Sequence, residues 1–162
     1  MSSETVQEIM TSNPTSPLYL EDLSVGDLFT SGKYRVSVDE IKSFARQYDP
    51  QPFHLDEEAA EHTFFAGLAA SGWHTAAITM KLLVGSLPIA NGLIGAGMEI
   101  SFPKPTRPDD ELRVEVRIIA IKPSRSKPDM GIVTMQSDTL NQHGELVQKT
   151  EAKMVVFRRK SV

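Results

Sequence analysis

Cysteine is absent from the 162-residue chain, which excludes disulfides, thiolate nucleophiles and thiolate metal sites. A basic surplus is lacking as well. The formal net charge is -4, so the molecule as a whole sets up no attractive field for nucleic acid or anionic membranes, and an anionic ligand would need a local basic patch. No apolar run reaches the roughly 18 residues of a membrane span, and the opening "MSSETVQEIMTSNPTSP" has no basic stretch followed by an apolar one, as a secretory leader would. The expectation is a cytoplasmic protein with neither membrane nor nucleic acid as partner. Internal repeats are missing too. The apolar share of 40% and charged share of 23% belong to an ordinary globular chain, not a disordered or fibrous one. A chain of this length buries one core. Residues 1–17, rich in Ser, Thr, Asn and Pro, are therefore expected as a loose tail, with a short helix over 4–10 left open, and residues 18–162 as a single domain.

What is present has two periods. "LFTSGKYRV" predicts a strand over 28–36. Ser37 with Glu40 three places on makes a capping box, and Val38, Ile41, Phe44, Ala45 and Tyr48 recur at helical spacing, so 38–48 reads as an amphipathic helix ended by Pro50. Asp56, Glu57 and Glu58 suit the positive end of a further short helix. "SGWHTAAITMKLLVGSL", 71–87, is apolar nearly all round. Trp73, Ala76, Ala77, Met80, Leu83, Val84 and Leu87 form its main stripe, and such a helix is expected to be buried on most sides. From residue 94 onward the period becomes two. The stretches 94–102, 112–120, 131–142 and 145–157 read as half-buried strands, the last two joined by a tight "NQHG" turn. Four consecutive antiparallel strands in a meander, curled around the apolar helix, would bury both. The sheet edges would suit pairing into a dimer.

The chemistry gathers in "DPQPFHLDEEAAEHTFFAGLAASGWHTAA", 49–77. Asp49 and Gln51 each precede a proline, a position that disfavours the α conformation, so 49–53 is expected to be extended and stiff. Asp49 and His54 then act together only if the loop bends. A carboxylate and an imidazole sharing one water could take a proton from it and deliver one elsewhere, and the adjacent apolar helix is expected to raise the proton affinity of Asp49. A helix-ending Asp and a hydrogen-bonded structural His stay open as alternatives. Ser71 is expected to cap the apolar helix, leaving the amides of Gly72 and Trp73 free to bind a carbonyl oxygen that gains negative charge; a plain capped helix is the alternative. With no G-x-S-x-G elbow, Ser71 is not expected as a nucleophile. Asp56 reads as a cap and not a cation ligand, and His62 and His74 lack zinc-site spacing with His54, so no metal is expected.

"ARQYDPQPFHLDEEAA…FFAGLAASGWHTAA" resembles the hydratase motif of the MaoC-like dehydratases, the (R)-specific enoyl-CoA hydratase family, with the likeness running over roughly 18–157. The resemblance implies an α+β hotdog fold, an antiparallel β-sheet wrapped around a long central α-helix, assembled as a homodimer or larger even-numbered oligomer. It implies reversible addition of water across the 2,3 double bond of an enoyl-CoA or enoyl-carrier thioester. Asp49 and His54 match the acid/base pair and Gly72 the glycine whose amide binds the thioester carbonyl, with Ser71 and Trp73 as substrate-binding neighbours. No cofactor is implied; coenzyme A enters as part of the substrate. Many members have His-Gly where this chain has Ser71-Gly72, which bears on acyl preference, and Trp73 and His74 are bulky enough to shape the pocket. Phosphates on the carrier would call for local cations. Lys104 and Arg107 in "FPKPTRPDD", with Lys122, Arg125 and Lys127 in "IKPSRSKPDM", are the candidates. Two other readings stand beside hydration: an acyl-CoA thioesterase, against which the helix has no acid between Gly72 and Leu87, and a non-catalytic acyl-thioester binding module.

Overall fold

The capping box at Ser37 closes as its spacing requires. The computed structural model describes residues 13–160, and in it the Glu40 amide donates to Ser37 Oγ at 3.2 Å while the Ser37 amide donates to the Glu40 carboxylate at 2.9 Å. Helix α1 (Val38–Tyr48) follows, with Ile41 and Ala45 buried. The next segment departs from expectation. Gln51 is extended, but its amide closes a tight turn onto the Asp49 carbonyl at 2.8 Å, and Pro52 opens a single helical turn, α2 (Pro52–Leu55). At the first position of a helix a missing N–H costs nothing and the fixed φ is already helical, so the same proline that stiffens residue 51 also starts a turn. Helix α3 (Glu57–Glu61) is capped by Asp56, whose carboxylate accepts from the Ala59 amide at 2.8 Å. The suggested helix over 4–10 lies outside the described residues.

The single strand expected over 28–36 is two, β1 (Leu28–Thr30) and β2 (Tyr34–Arg35), both antiparallel to β4 (Glu111–Pro123). Ser31 makes the break. Its amide donates to the Val114 carbonyl at 2.9 Å and its hydroxyl accepts from the Val114 amide at 2.8 Å. With β3 (Ile94–Ser101), β5 (Met130–Leu140) and β6 (Leu146–Phe157), the antiparallel order is β1-β4-β5-β6-β3. The expected four-strand meander therefore holds for β4, β5 and β6 only. β3 crosses to the far side of β6, because the connection over residues 102–110 runs across the end of the sheet. Two bonds fasten it there: the Ala70 amide to the Thr106 carbonyl at 2.9 Å, and the Thr75 hydroxyl to Thr106 Oγ1 at 2.9 Å.

Helix α4 (Gly72–Ser86) lies in the curl of the sheet. Ile78, Leu82 and Leu83 join Val114, Val116, Met135 and Met154 in one core cluster, each contributing about 1.5–3 kcal/mol by its burial. This is the hotdog architecture that the resemblance implied. The stripe read from the sequence is not the buried face, however. Leu83 and Leu87 are buried, but Trp73, Met80 and Val84 are exposed while His74, Thr75, Thr79 and Ser86 face inward. Strand β3 is likewise not half-buried: seven of its eight residues are exposed, since α4 does not cover it. No helix among the described residues is long and apolar enough to cross a membrane.

Candidate active site

Helix α2 supplies the bend that the Asp49–His54 pair needs. It turns the chain back so that His54 Nε2 comes within 3.3 Å of Asp49 Oδ2, with His54 5% and Asp49 16% exposed at the side chain. The imidazole is fixed from behind. Its Nδ1 lies 2.6 Å from the Ala69 carbonyl, and the Ala69 amide donates to the Phe53 carbonyl at 3.1 Å, so α2 and the chain before α4 are clasped twice. A carbonyl only accepts, so Nδ1 carries a hydrogen and Nε2 is the nitrogen whose protonation can change.

Asp49 is held as firmly. Ser71 Oγ donates to its Oδ2 at 2.7 Å and Gln51 Nε2 to its Oδ1 at 2.6 Å. Burial pushes the Asp49 carboxyl up, but the Ser71 hydroxyl, the Gln51 amide and the adjoining His54 outweigh it and leave the group below its ordinary value. The expected rise in proton affinity is thus reversed, because a carboxylate beside an apolar helix can still be stabilised by donors delivered to it. From the sequence Gln51 enters only through its backbone, as the residue before Pro52, and its side chain as a donor to Asp49 is missed.

Ser71 is fully buried and caps α4 as expected, accepting from the Trp73 amide at 3.2 Å. That engages one of the two amides expected to be free. The Gly72 N–H, first in the helix, has no hydrogen-bond partner among the described residues. A Cβ at Gly72 would sit 2.9 Å from Cε2 of Phe102, so any larger residue would have to push the ring out of this corner. His54, Gln51 and Gly72 face one cavity of about 360 Å³ walled by Phe53, Phe65 and Phe102. Trp73 and His74 do not line it. Trp73 is 67% exposed on the outer face of α4, and His74 stacks on Phe44 at 4.7 Å.

The basic candidates are separated. Lys104 lines the cavity and is ion-paired with Glu145. Arg107 braces the chain that leads into α4, donating to the carbonyls of Gly67 at 3.0 Å and Leu68 at 3.2 Å and to that of Phe65. A guanidinium committed to three carbonyls has a positioning role. Arg125 and Lys127, with Lys122, lie at the β4–β5 hairpin. The 13-residue β4 places that hairpin roughly 40 Å from Arg107, so within one chain the five cations do not form one patch. Among the described residues no three His, Asp or Glu side chains gather as metal ligands would.

Residues 26–141 match the MaoC like domain family. The chain belongs to it. A MaoC-like dehydratase from Rhodospirillum rubrum, known as a crystal structure, is 66% identical, with a TM-score of 0.87 over 89% of this chain and 99% of that one. The uncharacterized protein YdeM of Bacillus subtilis (strain 168) is 36% identical over 86% of this chain and 99% of its own length. An (R)-hydratase from A. caviae involved in PHA biosynthesis is 29% identical, with a TM-score of 0.67 over 86% of this chain and 99% of that one. The family match spans the Asp49–His54 loop, α4 and the connection that roofs the cavity.

Proposed function

We propose that the protein is an acyl dehydratase or enoyl-thioester hydratase, adding water reversibly across the 2,3 double bond of an enoyl-CoA or enoyl-carrier thioester. One observation carries the reading: His54 and Gly72, whose N–H is unengaged, line one cavity, and the free Nε2 of His54 lies 3.3 Å from an ionised Asp49. An (R)-hydratase among the similar structures points the same way.

With the thioester carbonyl on the Gly72 N–H, water held between Asp49 and His54 adds its oxygen to the β-carbon and gives its proton to Asp49. Electrons of the double bond pass to the thioester oxygen, where the Gly72 amide stabilises them. The proton on Asp49 crosses to the free His54 Nε2, which delivers it to the α-carbon and leaves Asp49 ionised and Nε2 free as at the start. Coenzyme A takes part only as the substrate's carrier, and no cofactor enters these steps. Hydrolysis is disfavoured because α4 carries no carboxylate facing the cavity. Mixing the protein with crotonyl-CoA should bleach the enoyl absorbance without releasing free thiol. Unchanged absorbance across several chain lengths, with a known hydratase active alongside, refutes the reading, and thiol release assigns a thioesterase.

The working unit in this proposal is a homodimer formed across β3. That strand is the sheet edge, and Ile94 and Met98 on it, Phe102 just beyond it, and Met80 and Val84 on α4 are exposed apolar side chains. A bare edge beside an apolar patch suits pairing with a second copy. Sedimentation should give twice the chain mass, and Met98→Glu should lower it; a wild-type monomer at micromolar concentration rules the dimer out.

A further inference from the structure

A second cavity of about 230 Å³ lies further along α4, between the helix and β3, β5 and β6. Gly72 and Thr75 line the catalytic cavity, and Ala76, Thr79 and Leu83 line this one, so the two succeed each other along the helix. The strands agree. Ile100 pairs with Thr150, and extending that register by two residues sets Phe102, in the wall of the first cavity, opposite Gln148, in the wall of the second. Phe102 stands at the junction and is 44% exposed.

The inner cavity has walls suited to hydrocarbon, among them Met80, Met98 and Met154, but a polar floor. Ser137 pairs with Thr150 and Thr139 with Gln148 across β5 and β6, giving a block of four buried polar side chains on two interior strands. Two of these contacts are complete: Thr139 with Thr79 at 2.7 Å, and Gln148 Nε2 donating to Thr150 Oγ1 at 2.9 Å. One group is not. Gln148 is 2% exposed and its Oε1 has no hydrogen-bond partner. A buried amide left half-paired is costly, and native interiors rarely tolerate it without a counterpart.

We propose that this inner cavity receives the distal part of an acyl chain bearing a hydroxyl, and that Gln148 is the residue selecting for it. The inference rests on the thioester reading above. The methionine walls take the hydrocarbon and the hydroxyl completes the Gln148 amide. A hydroxyl both donates and accepts, so it satisfies the amide whichever end faces it. A saturated chain without one seals the unpaired group away from water. From Gly72 to Thr79 the helix advances about 10 Å, so the selecting contact lies well beyond the carbons that react.

Binding of unreactive saturated ligands tests this without turnover. The measurement is the dissociation constants of straight-chain acyl-CoAs from butanoyl to decanoyl and of their ω-hydroxy counterparts, for the wild type and for Gln148→Met, which keeps the side chain's reach. One hydroxy compound should bind the wild type about tenfold more tightly than its plain counterpart, and Gln148→Met should lose that preference. A wild type that prefers no hydroxy compound overturns the proposal, as it would if an ordered water already completed Gln148. So does a preference that survives in folded Gln148→Met. The wild-type comparison decides even where the variant does not fold. Crotonyl-CoA, whose acyl group stops short of Gln148, reads hydration separately: no turnover with a hydroxyl preference intact removes the reaction and keeps the site, and the converse removes the site alone.

Discussion

Two carboxylates in this molecule are surrounded almost alike. Glu40 accepts from the Ser37 amide and hydroxyl and from the Tyr34 hydroxyl, with the imidazole of His74 nearby. Asp49 accepts from Ser71 and Gln51 and adjoins His54. In both, burial pushes the carboxyl up and the donors more than compensate, leaving it below its ordinary value. Yet Glu40 closes a capping box, and His74 lines neither of the two cavities along α4, whereas His54 lines one. His74 is buried on Phe44, and burial lowers its proton affinity despite Glu40. At Asp49 the changeable nitrogen of His54 and an unengaged amide face open space. An acid, a hydroxyl and a histidine do not by themselves make a site; what sets this cluster apart is the cavity that His54 shares with Gly72.

The contrast breaks most sharply at the acid itself. Asp49→Asn should cut kcat/KM for crotonyl-CoA by about 10²-fold or more with melting little changed, and equal activity in that variant would remove the distinction between the clusters. Ser71→Ala comes next, with an expected loss of about tenfold and a displaced pH profile. Asp49 is held ionised below the ordinary carboxylate range, so its contribution to activity, and to stability, is present above that range and lost as pH falls through its lowered value. Without the Ser71 hydroxyl the acid limb of kcat/KM should move to higher pH; a limb that stays put shows that another group sets it. The smallest effect belongs to Glu40→Ala. Loss of the capping box should lower unfolding stability by about 1 kcal/mol at neutral pH, and the deficit should fade on acidification through the lowered Glu40 value, with kcat/KM unaltered throughout. A fall in activity comparable to that of Asp49→Asn would make the two clusters equivalent.

Local features were legible in the sequence where their physics is local. The capping box at Ser37 and Glu40, the Asp56 cap and the Asp49-to-His54 spacing all depend on residues a few positions apart. The α2 turn was hidden because proline before and proline within a helix start give opposite local signals, and only the clasp to Ala69 decides between them. The crossing of β3 past β6 depends on Thr106 meeting Ala70 and Thr75, more than thirty residues away. The buried face of α4 was misread for a related reason. Periodicity favours the most apolar stripe, whereas the sheet beneath this helix offers Thr139 as a partner for Thr79, drawing the hydroxyl face inward and leaving Trp73 and Val84 outside.

A single oxygen atom, Ser71 Oγ, both holds the first turn of α4 closed and steadies Asp49. Warming that frays this one turn would release the acid and silence the chemistry while the strands still stand, so catalysis should fade at a lower temperature than the bulk unfolding of the sheet.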